Sequence, residues 1–264
     1  MKRAGRSRNS RLLALLILAG PALQDCRPNP EPEIAKVLDQ ELQAVAQGDA
    51  AAFLAAYSPS FEDKSFPPAR GRDKIQARLS APPRLSAGFL HRTFDAEGDR
   101  AVVRQEFFLE GVLLGKPRRY QEEEHVRLER TPAGWKITAG SNLYQLLAGR
   151  VEEEDRIEQM LDQRSQALEK RDLGLYMAVV SPRYSEQGRG PDAVRGKVEG
   201  IFESFQDIHY RAFNRQVRLN GEKAVVEQGF RLEATLAGER RTFDDRERLE
   251  LFREDGRWKI VGGL

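Results

Sequence analysis

Two carboxylates and an amide lie in the first half of this sequence where a strand pattern turns them towards an apolar face. Gln105 lies between Val103 and Phe107, and Glu122 and Glu124 alternate with apolar residues further along. Because successive side chains of a strand point to opposite faces, these polar groups should share the apolar face. A carboxylate buried on an apolar face is expected either to take part in proton transfer or to bind a polar ligand group.

The second half of the sequence carries the same pattern at Gln228, Asp245 and Glu247. His91 and its counterpart Asn214 alternate with apolar residues and are expected to join these groups. We therefore predict a polar-lined pocket in each half. Its predicted lining residues are His91, Gln105, Glu122, Glu124, Asn214, Gln228, Asp245 and Glu247.

The alternative to such a pocket is that these carboxylates reach solvent or pair with arginine, which leaves no functional site. The abundance of arginine in a chain that is 32% charged favours this alternative. Arg92 and Arg215 recur at matching positions, and strand alternation predicts that they lie beside Arg104 on the outer face.

An internal repeat organises the whole chain. Three segments of the first half recur 123 positions later: Ser58-Pro59 as Ser181-Pro182, 98–107 (GDRAVVRQEF) as 221–230 (GEKAVVEQGF), and 135–137 as 258–260. The constant step indicates two complete copies of one unit with almost no net insertion. The sequence therefore predicts two domains, 33–148 and 149–264, each of a size that supports its own core.

Hydrophobic periodicity changes from helical to alternating within each copy, which predicts an α+β fold of about three helices packed on a curved antiparallel sheet. The predicted helices of the first copy are 33–47, 50–57 and 71–79, and its strands are 89–94, 100–109, 119–129 and 134–138. Those of the second copy are 155–168, 172–180 and 192–205, with strands 208–217, 223–232, 241–252 and 257–261. Residues 143–154 contain no proline, so a helix is expected to join the copies.

The N-terminus has the pattern of an export signal, predicted as residues 1–25. Five basic side chains precede the apolar run 12–19, and small residues follow at 20–22. A proline-rich leader, 26–32, is expected to be extended. Cys26, the single cysteine, lies where a bacterial lipoprotein carries its lipid, although Asp25 departs from that pattern; simple cleavage after Ala22 is the alternative. We predict an exported protein, periplasmic or membrane-anchored through Cys26.

Composition and motifs argue against several other classes of protein. With 43 basic and 41 acidic residues, the net charge of +2 gives no field for nucleic acid, and no basic stripe is interleaved with aromatic residues. There is no glycine-rich phosphate loop and no zinc-binding pattern of cysteine and histidine, and the three histidines are isolated in sequence. No cofactor and no metal are therefore expected.

The order of elements, with particular turn and packing residues, resembles the nuclear-transport-factor-2-like superfamily in its SnoaL-like branch. The residues that carry the resemblance are 48–49, 58–63, 71–73 and 134–137 in the first copy and 171–172, 181–186 and 256–260 in the second. The resemblance implies cone-shaped domains with a pocket between helices and sheet. It also implies a family of isomerases, dehydratases, epoxide hydrolases and non-catalytic binding domains. By resemblance, Asp63 and Glu186 match the base of the isomerases, but neither copy offers a convincing oxyanion pair.

The sequence thus predicts a non-catalytic module of the cell envelope that binds a small ligand or another protein. The alternative is a small-molecule enzyme of the isomerase or dehydratase type that uses the pocket carboxylates. The expected partner is an unidentified small molecule or envelope protein, and a homodimer through the sheet faces is a further expectation.

Overall fold

Helices precede strands in the first half of the chain, as the periodicity predicts. The computed structural model describes residues 29–63, 65–82 and 84–264. The helices are α1 (Glu31–Gln47), α2 (Ala50–Ala55) and α3 (Pro68–Ser80), and the strands are β1 (Ser86–Glu97), β2 (Arg100–Leu113), β3 (Lys116–Thr131) and β4 (Gly134–Ala139). We call this part, together with the helical residues that follow it up to Arg150, the first unit.

The second unit repeats this order of elements. Its helices are α5 (Val151–Lys170), α6 (Leu173–Met177) and α7 (Pro191–Ser204), and its strands are β5 (Phe205–Asn220), β6 (Lys223–Leu236), β7 (Glu239–Glu254) and β8 (Arg257–Gly262). The prediction that a helix joins the copies is confirmed in part. Helix α4 (Asn142–Gln145) is followed by a π-helical turn, Leu146–Arg150, and by α5, but the backbone at Gly149 is not helical, with a φ of 143°, and a kink there separates two helical segments.

The predicted signal peptide and Cys26 lie outside the described residues. The predicted leader, 26–32, is wrong at its end, because α1 already begins at Glu31. Pro32 does not prevent this, since the first turn of a helix has no intrahelical partner for its backbone N–H groups. None of the described helices is long and apolar enough to cross a membrane.

Two antiparallel sheets of four strands confirm the α+β class, one with strand order β1-β2-β3-β4 and the other with order β5-β6-β7-β8. The strands are longer than predicted, because the strand pairing continues beyond the predicted ends, as far as Leu113 with Lys116 in the first sheet and Leu236 with Glu239 in the second. A parallel bridge joins Tyr57 to Ile137 in the first unit, and the equivalent bridge joins Val180 to Ile260 in the second.

Each sheet packs on its own helices around its own core. Helix α1 buries Ile34 and Leu38, and α5 buries the matching Ile157 and Leu161 at the same helical spacing. The residues on the inner face of each sheet therefore pack towards helices, and those on the outer face reach solvent.

A β-bulge near the middle of the first strand of each sheet overturns part of the prediction. The pairing register shifts between Phe89 and His91 in β1 and between Phe213 and Gln216 in β5. One extra residue reverses the alternation beyond it, so that inner and outer positions exchange.

The predicted inward orientation of His91 and Asn214 is therefore wrong, because both are exposed on the outer face. The predicted outward orientation of Arg92 and Arg215 is wrong for the same reason. The Arg92 side chain is only 5% exposed, and that of Arg215 is 18% exposed.

Candidate functional site

The inward orientation predicted for Gln105 and Glu124 agrees with their burial, since each is 2% exposed. Gln105 Nε2 donates to Glu124 Oε1 at 2.6 Å, and Arg92 Nε donates to Gln105 Oε1 at 2.8 Å. The second carboxylate oxygen of Glu124 accepts from the backbone N–H groups of Asn142 at 2.7 Å and Leu143 at 3.2 Å. Protein groups therefore occupy both oxygens of this carboxylate.

A second buried carboxylate, Glu41 of α1, lies in the same polar cluster and is completely buried. It accepts the hydroxyl of Tyr57, which lies 2.9 Å from Ser141 Oγ. Burial, with the nearby charge of Glu124, raises the pKa of Glu41. Burial also raises the pKa of Glu124, against the hydrogen bonds that favour its charged form.

Our sequence interpretation missed Glu41 as a buried group. A signal for it exists, because Glu41 lies three residues after Leu38 and seven after Ile34, within the apolar stripe of the helix. A carboxylate at that spacing is expected to be buried with its helix face. Ser141 was missed for a different reason, since only the folding of residues 141–150, which we call the joining segment, brings it to Tyr57.

The second unit replaces Glu41 by Arg164, which lies 123 positions later in the repeat. Arg164 makes a bidentate ion pair with Glu247, with N–O distances of 2.8 and 2.9 Å. Tyr210 and Gln228 also donate to Glu247, each at 2.6 Å. Burial acts to raise the pKa of Glu247, but the charge of Arg164 and these hydrogen bonds outweigh burial and hold that pKa below its usual value.

The remaining predicted carboxylates differ between the units. Glu122 is half-buried and pairs with Arg150, whereas its counterpart Asp245 is exposed. Asp63, the base suggested by resemblance, accepts hydrogen bonds from the backbone N–H groups of Ser65 and Phe66, as a turn residue does.

Two cavities contain the residues whose predicted orientation is wrong. One of about 400 Å³ is lined by His91 and His125 together with Gln105 and Glu124, and one of about 480 Å³ is lined by Asn214 together with Gln228 and Glu247. Another cavity, of about 560 Å³, opens between the charged end of the first sheet and the segment around Ser60 and Glu62. None of these three cavities reaches Glu41 or Tyr57. In the described part of the chain, no cluster of three or more histidine, cysteine or acidic side chains is arranged to hold a metal ion.

The end of each sheet near its second hairpin, β2–β3 in the first unit and β6–β7 in the second, distinguishes the inner faces of the two units most clearly. In the first unit, Phe107 and Leu109 are fully buried there. The joining segment and α5 cover this end, where Tyr120 donates to Glu154 at 3.0 Å and Arg118 to Asp155 at 2.9 Å.

No described segment covers the corresponding end of the second sheet to the same extent. Phe230 and Leu232, the counterparts of Phe107 and Leu109, are partly exposed. Phe243 is 43% exposed and packs edge-on against Phe205, with ring centroids 5.8 Å apart. We call this surface the open end, defined by Phe205, Phe230, Leu232, Phe243 and Asp245. Its apolar side chains with one carboxylate form a surface that suits binding.

Comparison with known proteins places a family domain in the second unit. Residues 157–262 match the family described as a SnoaL-like domain. Among curated proteins, none matches the chain.

Solved structures of low sequence identity match about two fifths of the chain. A scytalone dehydratase candidate from Novosphingobium aromaticivorans is 20% identical over 42% of this chain and 80% of its own, with a TM-score of 0.39. A hexachlorocyclohexane dehydrochlorinase of type 2 is 14% identical over 42% of this chain and 82% of its own, with a TM-score of 0.39. An aromatic ring hydroxylase candidate, also from Novosphingobium aromaticivorans, is 16% identical over 43% and 94%, with a TM-score of 0.38. Within its α+β architecture of two antiparallel sheets, the chain thus contains a SnoaL-like domain at residues 157–262.

Proposed function

We propose that this protein is an exported, non-catalytic binding module of the cell envelope, and that the open end of the second sheet is its binding surface. The observation that carries the proposal is the exposure of Phe243 and the partial exposure of Phe230 and Leu232, where Phe107 and Leu109 of the first unit are fully buried and Tyr120 is partly buried. Exposed apolar side chains grouped at one end of a sheet favour the binding of an apolar molecule or segment.

The proposal extends the SnoaL-like assignment to two tandem cone-shaped domains, 33–148 and 149–264. Its support is the repeated order of elements, the two strand orders and the equivalent bridges from Tyr57 and Val180. Helical residues lie on both sides of the proposed boundary, and the non-helical backbone of Gly149, whose φ is 143°, breaks the helix at that boundary.

The closed state of the buried carboxylates favours binding over catalysis. A general acid or base must come within hydrogen-bond reach of its substrate, either directly or through one water molecule. Glu124 uses both oxygens on protein donors, and Glu247 is held by Arg164, Tyr210 and Gln228. An isomerase or dehydratase that used these carboxylates would first have to break these contacts.

A thermal-shift screen of the full chain against metabolites and lipid fragments tests the binding proposal. We expect a hit that raises the melting temperature of wild type and fails with Phe243→Asp, because a charge at the open end opposes apolar binding. Leu114→Asp is the matched control, since Leu114 is 46% exposed in the β2–β3 turn of the first unit, where its φ of 55° suits aspartate.

The Glu124→Gln variant separates the binding module from the enzyme. Binding that survives Glu124→Gln and is lost in Phe243→Asp supports the proposal. A hit that depends on Glu124 and is turned over by the protein would instead identify the enzyme of the alternative.

Export is proposed from the N-terminal sequence, with its basic start, its apolar run and Cys26. Expressed in a Gram-negative bacterium, the chain should fractionate with the envelope. If Cys26 carries a lipid, an alkyne-labelled fatty acid will mark wild type and leave Cys26→Ser unlabelled. A protein that stays in the cytoplasm at full length would contradict export.

A further inference from the structure

The first unit shows what kind of structure covers this end of a sheet. Its inner row on β3 consists of Arg118, Tyr120 and Glu122, at alternate positions of the strand. A helical segment runs antiparallel along that row, so that each of its charges faces a charge of opposite sign. Arg150 pairs with Glu122, and Asp155 pairs with Arg118.

Apolar side chains of the same segment complete the cover. Leu143, Leu146 and Leu147 are fully buried, as is Val151 at the start of α5. The covering structure is therefore an amphipathic helix with a leucine-rich apolar face, followed by an arginine and then by an acidic residue five positions later.

The second unit repeats the row on β7 as Arg241, Phe243 and Asp245, with the same order of charge. Arg241 contacts only its exposed neighbour Glu239 among the described ion pairs, and Asp245 has no arginine or lysine partner among them. In the first unit, Arg150, Asp155 and the leucines cover this charge pattern and the apolar side chains beside it. In the second unit, the same charge pattern and apolar side chains face solvent.

We propose that the open end binds an amphipathic helical segment of another protein, with a basic residue facing Asp245 and an acidic residue facing Arg241. This inference rests on the proposed function and names the class of partner. Arg241 and Asp245 lie four residues apart on one strand, roughly 13 Å at ~3.3 Å per residue. Charges five residues apart on a helix are separated by about 7.5 Å along its axis. Long side chains span the remainder, as Arg150 and Asp155 do where they pair with Glu122 and Arg118, which have the same spacing on their strand. Helix-in-groove recognition through spaced apolar anchors is a general mode of peptide binding.

The repeat also predicts how the partner must differ from the covering segment of the first unit. A Cβ at Gly71 would lie 2.6 Å from the hydroxyl of Tyr144, so glycine makes room for that ring. The second unit has Val194 in place of Gly71, and Val194 is buried. A partner helix should therefore carry a residue smaller than tyrosine at this point.

A synthetic peptide of residues 141–158 with Tyr144→Ala, labelled with a fluorophore, is the probe for this site. Its binding to the full chain is measured by fluorescence anisotropy. We expect saturable binding that Asp245→Arg weakens at least tenfold and Phe243→Asp abolishes, with Leu114→Asp unchanged. The covalent segment of the first unit should stay in place, because its effective concentration is high.

A charge exchange makes the test specific. The peptide that also carries Arg150→Asp should bind the Asp245→Arg chain more tightly than it binds wild type, which rescues the loss. Absence of binding, or binding that ignores Asp245 and Phe243, would overturn the inference. If the peptide fails while a small apolar molecule still stabilises wild type and not Phe243→Asp, the helical partner is wrong and the proposed function stands. Concentration-dependent self-association that Phe243→Asp removes would replace the helix by a second copy of the chain.

Discussion

Replacing Arg164 with methionine is expected to lower the free energy of unfolding by about 3–5 kcal/mol at neutral pH. The substitution leaves Glu247 in a largely buried position, where its side chain is only 10% exposed, without the guanidinium that neutralises it. An uncompensated buried carboxylate is more costly than a missing ion pair, because its desolvation is no longer offset. Denaturation by urea, followed by circular dichroism, measures the change.

The double variant Arg164→Met with Glu247→Gln is the control for this result. It removes the charge together with its partner, so most of the lost stability should return. A single variant within about 1 kcal/mol of wild type, or a double variant no more stable than the single one, would show that the Arg164–Glu247 pair does not hold the second unit together.

Glu41→Gln is expected to gain stability relative to wild type as the pH rises. Burial, with the charge of Glu124, raises the pKa of Glu41 from 4.5 to about 8. Below pH 4.5 both folded and unfolded chains hold the proton, and the stabilising effect of proton binding is complete. Above it the unfolded chain releases the proton first, so wild type loses about 1.4 kcal/mol per pH unit until the pH passes the folded pKa. Glutamine does not titrate and escapes this loss.

Urea denaturation of both proteins at pH 5, 6, 7 and 8 measures this difference. Glu41→Met serves as a second variant that cannot titrate, and it should give the same pH slope with a different offset. A stability difference that stays constant over this range would mean that Glu41 is not held protonated in the folded chain.

The sequence was sufficient for much of the fold because its signals are local. The alternation around Val103 and Val226 identifies strands, and the constant step of the repeat makes each copy a check on the other. The helical character of residues 143–154 was also predictable, because no proline interrupts them, but the break at Gly149 was not predicted.

The bulges could not be predicted in this way. A single extra residue near Leu90 and near Asn214 reverses the faces of the strand, and alternation alone gives no sign of it. As a result Arg92, expected at the surface, donates to Gln105 in the buried cluster, and His91 points away from it.

The difference between the covered sheet end of the first unit and the open end of the second could be found only from the structure. Phe107 and Phe230 occupy the same position of the repeat and the same strand pattern. Only the packing of the joining segment covers the first and leaves the second partly exposed. The exchange of Glu41 for Arg164 is visible in the sequence. Its effect is not, because it depends on the neighbouring carboxylates: Glu124 raises the pKa of Glu41, whereas Glu247 forms an ion pair with Arg164.

The central claim is that binding occurs at the open end of the second sheet and not at the buried carboxylates. Titration of the full chain with Nile red, a neutral apolar dye whose fluorescence rises on leaving water, tests this claim without knowledge of the natural ligand. We predict saturable dye binding to wild type, to Leu114→Asp and to Glu124→Gln, and its loss in Phe243→Asp. Dye binding that persists in Phe243→Asp, or that disappears in Glu124→Gln while the protein stays folded, would contradict the claim.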